Sequence, residues 1–309
     1  MKGVELYAPR RPGHRRTWTW AAILLGAVFM IAGQAIAAAP AIMTGLIDPS
    51  GQGGWQGTAY ILFVGFGLTA IMVLAWVRLF ERRGPETVGF NGRGLVRFAR
   101  GYGLGLAYLL AVVGIIALLG GYRVEGAGVL GGAFSPAALV PLVVLLLGFI
   151  VQGSTEEIVF RGWLMQLIAS RHGLWIAMLV NAVLFGLAHG GNIEPSRELA
   201  VGVVNIVLFG VFIGLYAARE GSLWGVCGWH AAWNWLLGLG FGLEVSGQVV
   251  EATPLVTDLV PSASAPWWLT GAAFGPEASV VTTALLLLSS VWIVWRGRFS
   301  RHPVETAEG

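Results

Sequence analysis

Long apolar runs broken by short polar, arginine-bearing segments dominate this chain from end to end. A helix needs about 20 apolar residues to cross a hydrocarbon core of roughly 30 Å. Eight charge-poor stretches of about that length can be drawn, at 18–39, 58–77, 101–120, from about 136 onward, 174–188, 199–218, 222–241 and 278–295. The fourth carries charges at its far end. These eight predict an all-α, polytopic membrane helix bundle forming one membrane domain over residues 1–309, with no repeat and no low-complexity linker to divide it.

Composition agrees. Of 309 residues 56% are hydrophobic and only 11% charged, and the mean hydropathy is +0.74, as expected of a chain solvated mainly by lipid. The basic residues then orient the spans, because they accumulate in cytoplasmic loops. Lys2, Arg10, Arg11, Arg15 and Arg16 precede the first span. Arg78 to Arg100 fall between the second and third, Arg171 and Arg219 at later alternate turns, and Arg296, Arg298 and Arg301 after the last. Only Arg123 and Arg197 lie on the other side, so both termini are expected in the cytoplasm. The sequence pI near 9.3 fits anionic headgroups at these boundaries better than nucleic acid, which is excluded as a partner. Membrane lipids and a membrane-associated peptide or protein are the partners implied, in a multi-pass location that is the cell membrane if the source is bacterial. The oligomeric state is left open.

Four local features bear on this reading. The single cysteine, Cys227, excludes an internal disulfide or a Cys-rich metal site. Ala37-Ala38-Ala39 after a basic and apolar start imitates a signal-peptide cleavage site, but the run is long for that and cleavage would break the even count of spans. Glycines four apart, as at Gly101 and Gly105, Gly210 and Gly214, and Gly238 and Gly242, read as close packing within the bundle. The polar stretch 242–277, rich in acids and free of Lys and Arg, reads as an external cap or flexible loop.

Ionisable groups at membrane depth are costly and mark functional sites. In Ser154-Thr155-Glu156-Glu157-Ile158-Val159-Phe160-Arg161, Glu157 and Arg161 stand i and i+4 on one helical face with the acid first, the favourable order for a pair. Glu156 points about 100° away, free to face a cavity. His189 closes the fifth span. If the segments around Arg171-His172-Gly173 form a helical hairpin, Glu156 and His189 both stand roughly 25 Å from its turn, at one level. The polar content near the turn predicts that the hairpin projects beyond the membrane surface. His230 and Asn234, i and i+4 on the seventh span, share a face. Gln34, Asn181 and Asn205 read as amides bridging helices, with Asn205 also a candidate for the cavity wall.

At these residues the sequence resembles the CAAX-processing and bacteriocin-processing (CPBP, or ABI) intramembrane proteases. Their three signatures are met in order: EExxxR by Glu156, Glu157 and Arg161; FxxxH by Phe185 and His189; HxxxN by His230 and Asn234. The likeness covers about 152–237. It implies an eight-helix bundle whose site opens toward the cytoplasm, and an endopeptidase acting on membrane-associated, CAAX-like peptides. The catalytic set would be Glu156, His189, His230 and Asn234, supported by Glu157 and Arg161. Glu156 would be the general base toward a water shared with His189, while His230 and Asn234 face the carbonyl oxygen. The cofactor is either none or one zinc ion held by Glu156, His189 and His230; the HExxH motif is absent. A non-catalytic binding or bacteriocin-immunity protein using the same pocket is the alternative, and a proton-coupled transporter a more distant one.

Overall fold

The computed structural model describes residues 3–132 and 134–303; Lys2 lies outside them. Eight apolar helices occupy the eight predicted places. They are α1 (Thr19–Met43), α2 (Gly54–Phe80), α3 (Gly94–Leu118), α4 (Pro136–His172), α5 (Leu174–Ala188), α6 (Arg197–Glu220), α7 (Trp224–Trp235, continued by a π turn Leu236–Gly240) and α8 (Val280–Arg296). α1, α2, α3, α4 and α6 are long and apolar enough to cross a membrane. The protein is a polytopic membrane helix bundle.

The helix ends follow local chemistry. Ser135, Ser196 and Ser279 cap α4, α6 and α8, each hydroxyl accepting from a backbone N–H of the first turn. Pro136 opens α4, where its missing N–H costs nothing. Gly221 and Gly297 end α6 and α8 in the left-handed region.

Two of the three glycine pairs pack helices closely inside one chain, while Gly242 lies past the end of α7 with φ +68°. α7 runs through the centre, against α3 and α4. A Cβ at Gly101 would fall onto the Gly225 carbonyl, and one at Gly105 would stand 2.5 Å from the Trp229 carbonyl oxygen. A Cβ at Gly210 would approach Cα of Ala182 to 2.8 Å, which holds α6 against α5.

Alternation of the helices gives the bundle two ends. At one, the N-terminal segment and the residues after α8 meet: β1 (Val4–Glu5) pairs antiparallel with β4 (His302–Pro303), so the two ends of the described residues lie together. Leu6 N–H donates to Gln166 Oε1 at 2.7 Å, and Arg16 reaches the Ser170 carbonyl. At the other end β2 (Tyr122–Ala127) pairs antiparallel with β3 (Thr257–Pro261), with an irregularity between Val124 and Gly126. The 242–277 stretch is therefore folded onto the bundle, with a strand and a short helix, Trp267–Thr270.

The two helices of the hairpin are unequal. α4 is 37 residues long, and every residue from Thr155 to Ser170 is buried. Its far half is sheathed by protein, so Arg161 is buried among neighbouring helices. α5, with 15 residues, rises only about 22 Å, much less than α4. The short partner sets the level of His189.

Candidate active site

Glu157 is fully buried, and the i, i+4 pairing with Arg161 is present at 3.3 Å. The same oxygen, Oε1, also lies 2.9 Å from Nδ1 of His230. Glu157 thus joins two helices: it holds Arg161 within α4 and turns the His230 ring on α7. Arg161, also fully buried, places its guanidinium 4.2 Å from the centre of the Phe185 ring, a cation–π contact of the kind strengthened by desolvation. The second residue of EExxxR and the first of FxxxH are thereby linked through the arginine.

Glu156 is differently placed, as its helical phase predicts. Oε1 accepts from Gln152 Nε2 at 2.7 Å. Oε2 has no hydrogen-bond partner and stands 3.6 Å from His230 Nε2. Gln152 Oε1 in turn accepts from Asn234 Nδ2 at 2.9 Å. A polar chain therefore runs Asn234, Gln152, Glu156, His230, Glu157, Arg161 across α4 and α7, with its weakest link at Glu156 Oε2. The missing side chain at Gly153 makes room for it: a Cβ there would lie 3.3 Å from the Cβ and Cγ of His230.

A cavity of about 430 Å³ opens beside this chain, lined by Glu156, His189, His230, Asn234, Gln152 and Glu277 among others. That volume lies within the range of ligand pockets. The four candidate catalytic residues are thus brought to one cavity from α4, α5 and α7. His189, at the C-terminal end of α5, pairs its Nδ1 with the Phe185 carbonyl at 2.8 Å. The carbonyl can only accept, so Nδ1 is the donor and Nε2 is left for other partners.

Two contributors escaped the sequence reading. Gln152 stands one turn before Glu156, the same spacing that pairs Glu157 with Arg161, and that signal was available. Glu277 arrives from the end of the 242–277 stretch, which carries no periodicity to place it. Its carboxylate accepts from Trp233 Nε1 at 3.0 Å and from the backbone and hydroxyl of Ser246, the latter at 2.8 Å. Burial pushes the Glu277 carboxyl above its ordinary range, against the Ser246 and Trp233 donors and the nearby His189. That stretch is therefore part of the cavity wall, where Val245, Ser246 and 248–251 also lie.

The bridging amides behave in two ways. Asn181 donates to the Phe160 carbonyl at 2.7 Å, tying α5 to α4. Asn205 donates to the Glu277 and Ser279 carbonyls and accepts from Thr283, fastening α6 to the start of α8. It is Gln34, rather than Asn205, that lines the cavity.

Among the described residues no three His, Cys, Asp or Glu side chains converge as a metal-binding set. In this arrangement both ring nitrogens of His230 face glutamates, and Glu156, His189 and His230 do not form the donor set that zinc requires.

The cavity's mouth departs from expectation. Its rim comes from 51–54, Asn192 and 248–251, all at the end opposite the paired termini. The exposed part of the cavity lining thus stands at the arginine-poor end, whereas the resemblance implies an opening toward the cytoplasm.

Residues 138–236 match the family model described as Type II CAAX prenyl endopeptidase Rce1-like. The match runs from the first turn of α4 to the end of α7, about a third of the chain, and contains all three motifs, so the resemblance they carry holds over this segment. No curated protein and no solved structure matches the chain.

Proposed function

We propose that this protein is an intramembrane endopeptidase that hydrolyses peptide bonds of membrane-associated substrates with a water activated by Glu156. One observation carries the reading. A buried carboxylate oxygen, Glu156 Oε2, stands unpartnered on a cavity shared with His189, His230 and Asn234. A buried carboxylate oxygen without a protein partner is costly, about 1–3 kcal/mol, unless a water fills its place, and beside a cavity that is the water the carboxylate would act on.

The roles follow from the neighbours. Gln152 fixes one Glu156 oxygen, leaving Oε2 to take a proton from a water that His189 Nε2 also holds. The water oxygen attacks the scissile carbonyl carbon. Negative charge develops on the carbonyl oxygen, toward which Asn234 offers its second amide N–H and His230 its Nε2–H when that nitrogen is protonated. Glu157 stabilises the charged ring, as the orienting carboxylate does in other histidine-based sites. Glu156 then returns its proton to the departing amine, and the C–N bond breaks.

Replacement tests this. When membrane extracts are incubated with purified wild-type protein, new peptide termini found by mass spectrometry should be absent with Glu156→Ala and His189→Ala. If both folded variants generate the same termini, the protease reading fails. Full activity after chelation supports the glutamate-driven version; activity restored only by zinc overturns it.

A further inference from the structure

From the two ends of the bundle we infer that the cavity is entered from the non-cytoplasmic side of the membrane. Its substrate would then be a peptide segment displayed on the outward face, rather than a C-terminal tail presented from the cytosol.

Three observations point the same way. First, charge is divided between the ends. Fifteen of the described arginines flank the end where β1 meets β4, while Arg123 and Arg197 are the two at the other. The acids are distributed in reverse. Asp48, Glu125, Glu194, Glu198, Glu244, Glu251, Asp258 and Glu277 lie at the open end, against Glu5, Glu81, Glu86 and Glu220 at the closed one. Basic residues near span ends set orientation, and acids contribute little to it, so the arginine-rich end is cytoplasmic.

Second, the cavity has its rim at the arginine-poor end, at 51–54, Asn192 and 248–251. Third, the route from the arginine-rich end is filled. Thr155 to Ser170 are buried without a break, and Leu6 and Tyr7, also buried, close over them, with the Tyr7 hydroxyl donating to the Arg161 carbonyl at 3.0 Å. A substrate approaching from the cytoplasm would meet this packed layer. One approaching from outside would meet a polar mouth edged by Gln52, Gln248 and Glu251.

The sidedness stands on charge and packing alone, whereas the word substrate rests on the proteolytic reading. The experiment separates the two. Val249, 61% exposed at the mouth, and Pro12, exposed at the other end, are each replaced by cysteine in the full chain. The native Cys227 is 1% exposed and silent to the reagent. Bacterial cells expressing each variant are treated with a membrane-impermeant maleimide before and after permeabilisation. Val249→Cys should be labelled in intact cells and Pro12→Cys only after permeabilisation. The reverse pattern, or equal labelling of both in intact cells, overturns the inference. Gln52→Cys, at another point of the rim, replaces Val249→Cys if the latter does not fold. Outward labelling of Val249→Cys in a protein whose Glu156→Ala variant leaves every peptide terminus unchanged would keep the sidedness and remove the protease.

Discussion

Two buried carboxylates in this bundle have opposite surroundings. Glu81, at the arginine-rich end, is fully buried and uses both oxygens. Oε1 accepts from the Thr17 backbone and hydroxyl and from Trp163 Nε1, and Oε2 pairs with Arg83 through two guanidinium nitrogens. Glu156, at the cavity, has one oxygen held by Gln152 and the other unpartnered. Both are acids in an apolar chain, yet one is saturated by its neighbours and the other keeps an oxygen without a protein partner. Burial alone therefore does not separate the two; unfilled hydrogen-bonding capacity beside a cavity does, and the proposed role of Glu156 rests on that difference.

The largest effect expected from breaking this contrast is at Glu156. Glu156→Gln keeps the shape and the Gln152 contact but removes the base. Turnover should fall by about 10²–10⁴-fold, the usual contribution of a general base, while thermal unfolding in detergent changes little. Glu81→Ala should do the converse. Leaving Arg83 buried without its partner costs about 3–5 kcal/mol, read as a lowered unfolding temperature, with the remaining folded protein still active.

Glu157 lies between the two cases, because it serves Arg161 and His230 together. Glu157→Ala should lower both stability and activity, and Glu157→Gln should recover more of the stability than of the activity. A Gln that recovers both equally would show that the carboxylate charge is not needed at His230. The smallest effect is expected at Gln152. Gln152→Ala frees Glu156 Oε1 and Asn234 Nδ2 at the loss of two hydrogen bonds of about 1 kcal/mol each. The expected result is a fall in kcat of roughly tenfold with the folded fraction retained.

Much of this architecture was readable from hydrophobic pattern. The eight helices stand at the eight apolar stretches, and the helical phase that separates Glu156 from Glu157 holds, because both depend on short-range periodicity. Phase also explains why Glu156 faces a cavity and Glu157 does not. What was not readable depends on distant contacts. The second partner of Glu157 lies 73 positions away on α7. Glu277 reaches the cavity only because the 242–277 stretch folds back onto the bundle, and no local pattern encodes that return. The end at which the cavity lining is exposed was not readable for a similar reason. Arginines report which end faces the cytoplasm, but the end at which a cavity is left open is decided by how the N-terminal segment and the loops pack.

The central claim is that Glu156 activates water for peptide cleavage. Its most direct test compares the membrane peptides of cells carrying the wild-type chain with those of cells carrying Glu156→Gln at equal abundance. The account predicts that a defined set of cleaved termini disappears in the variant while the uncut parent chains accumulate. Identical peptide sets from the two, with both proteins folded in the membrane, would contradict it.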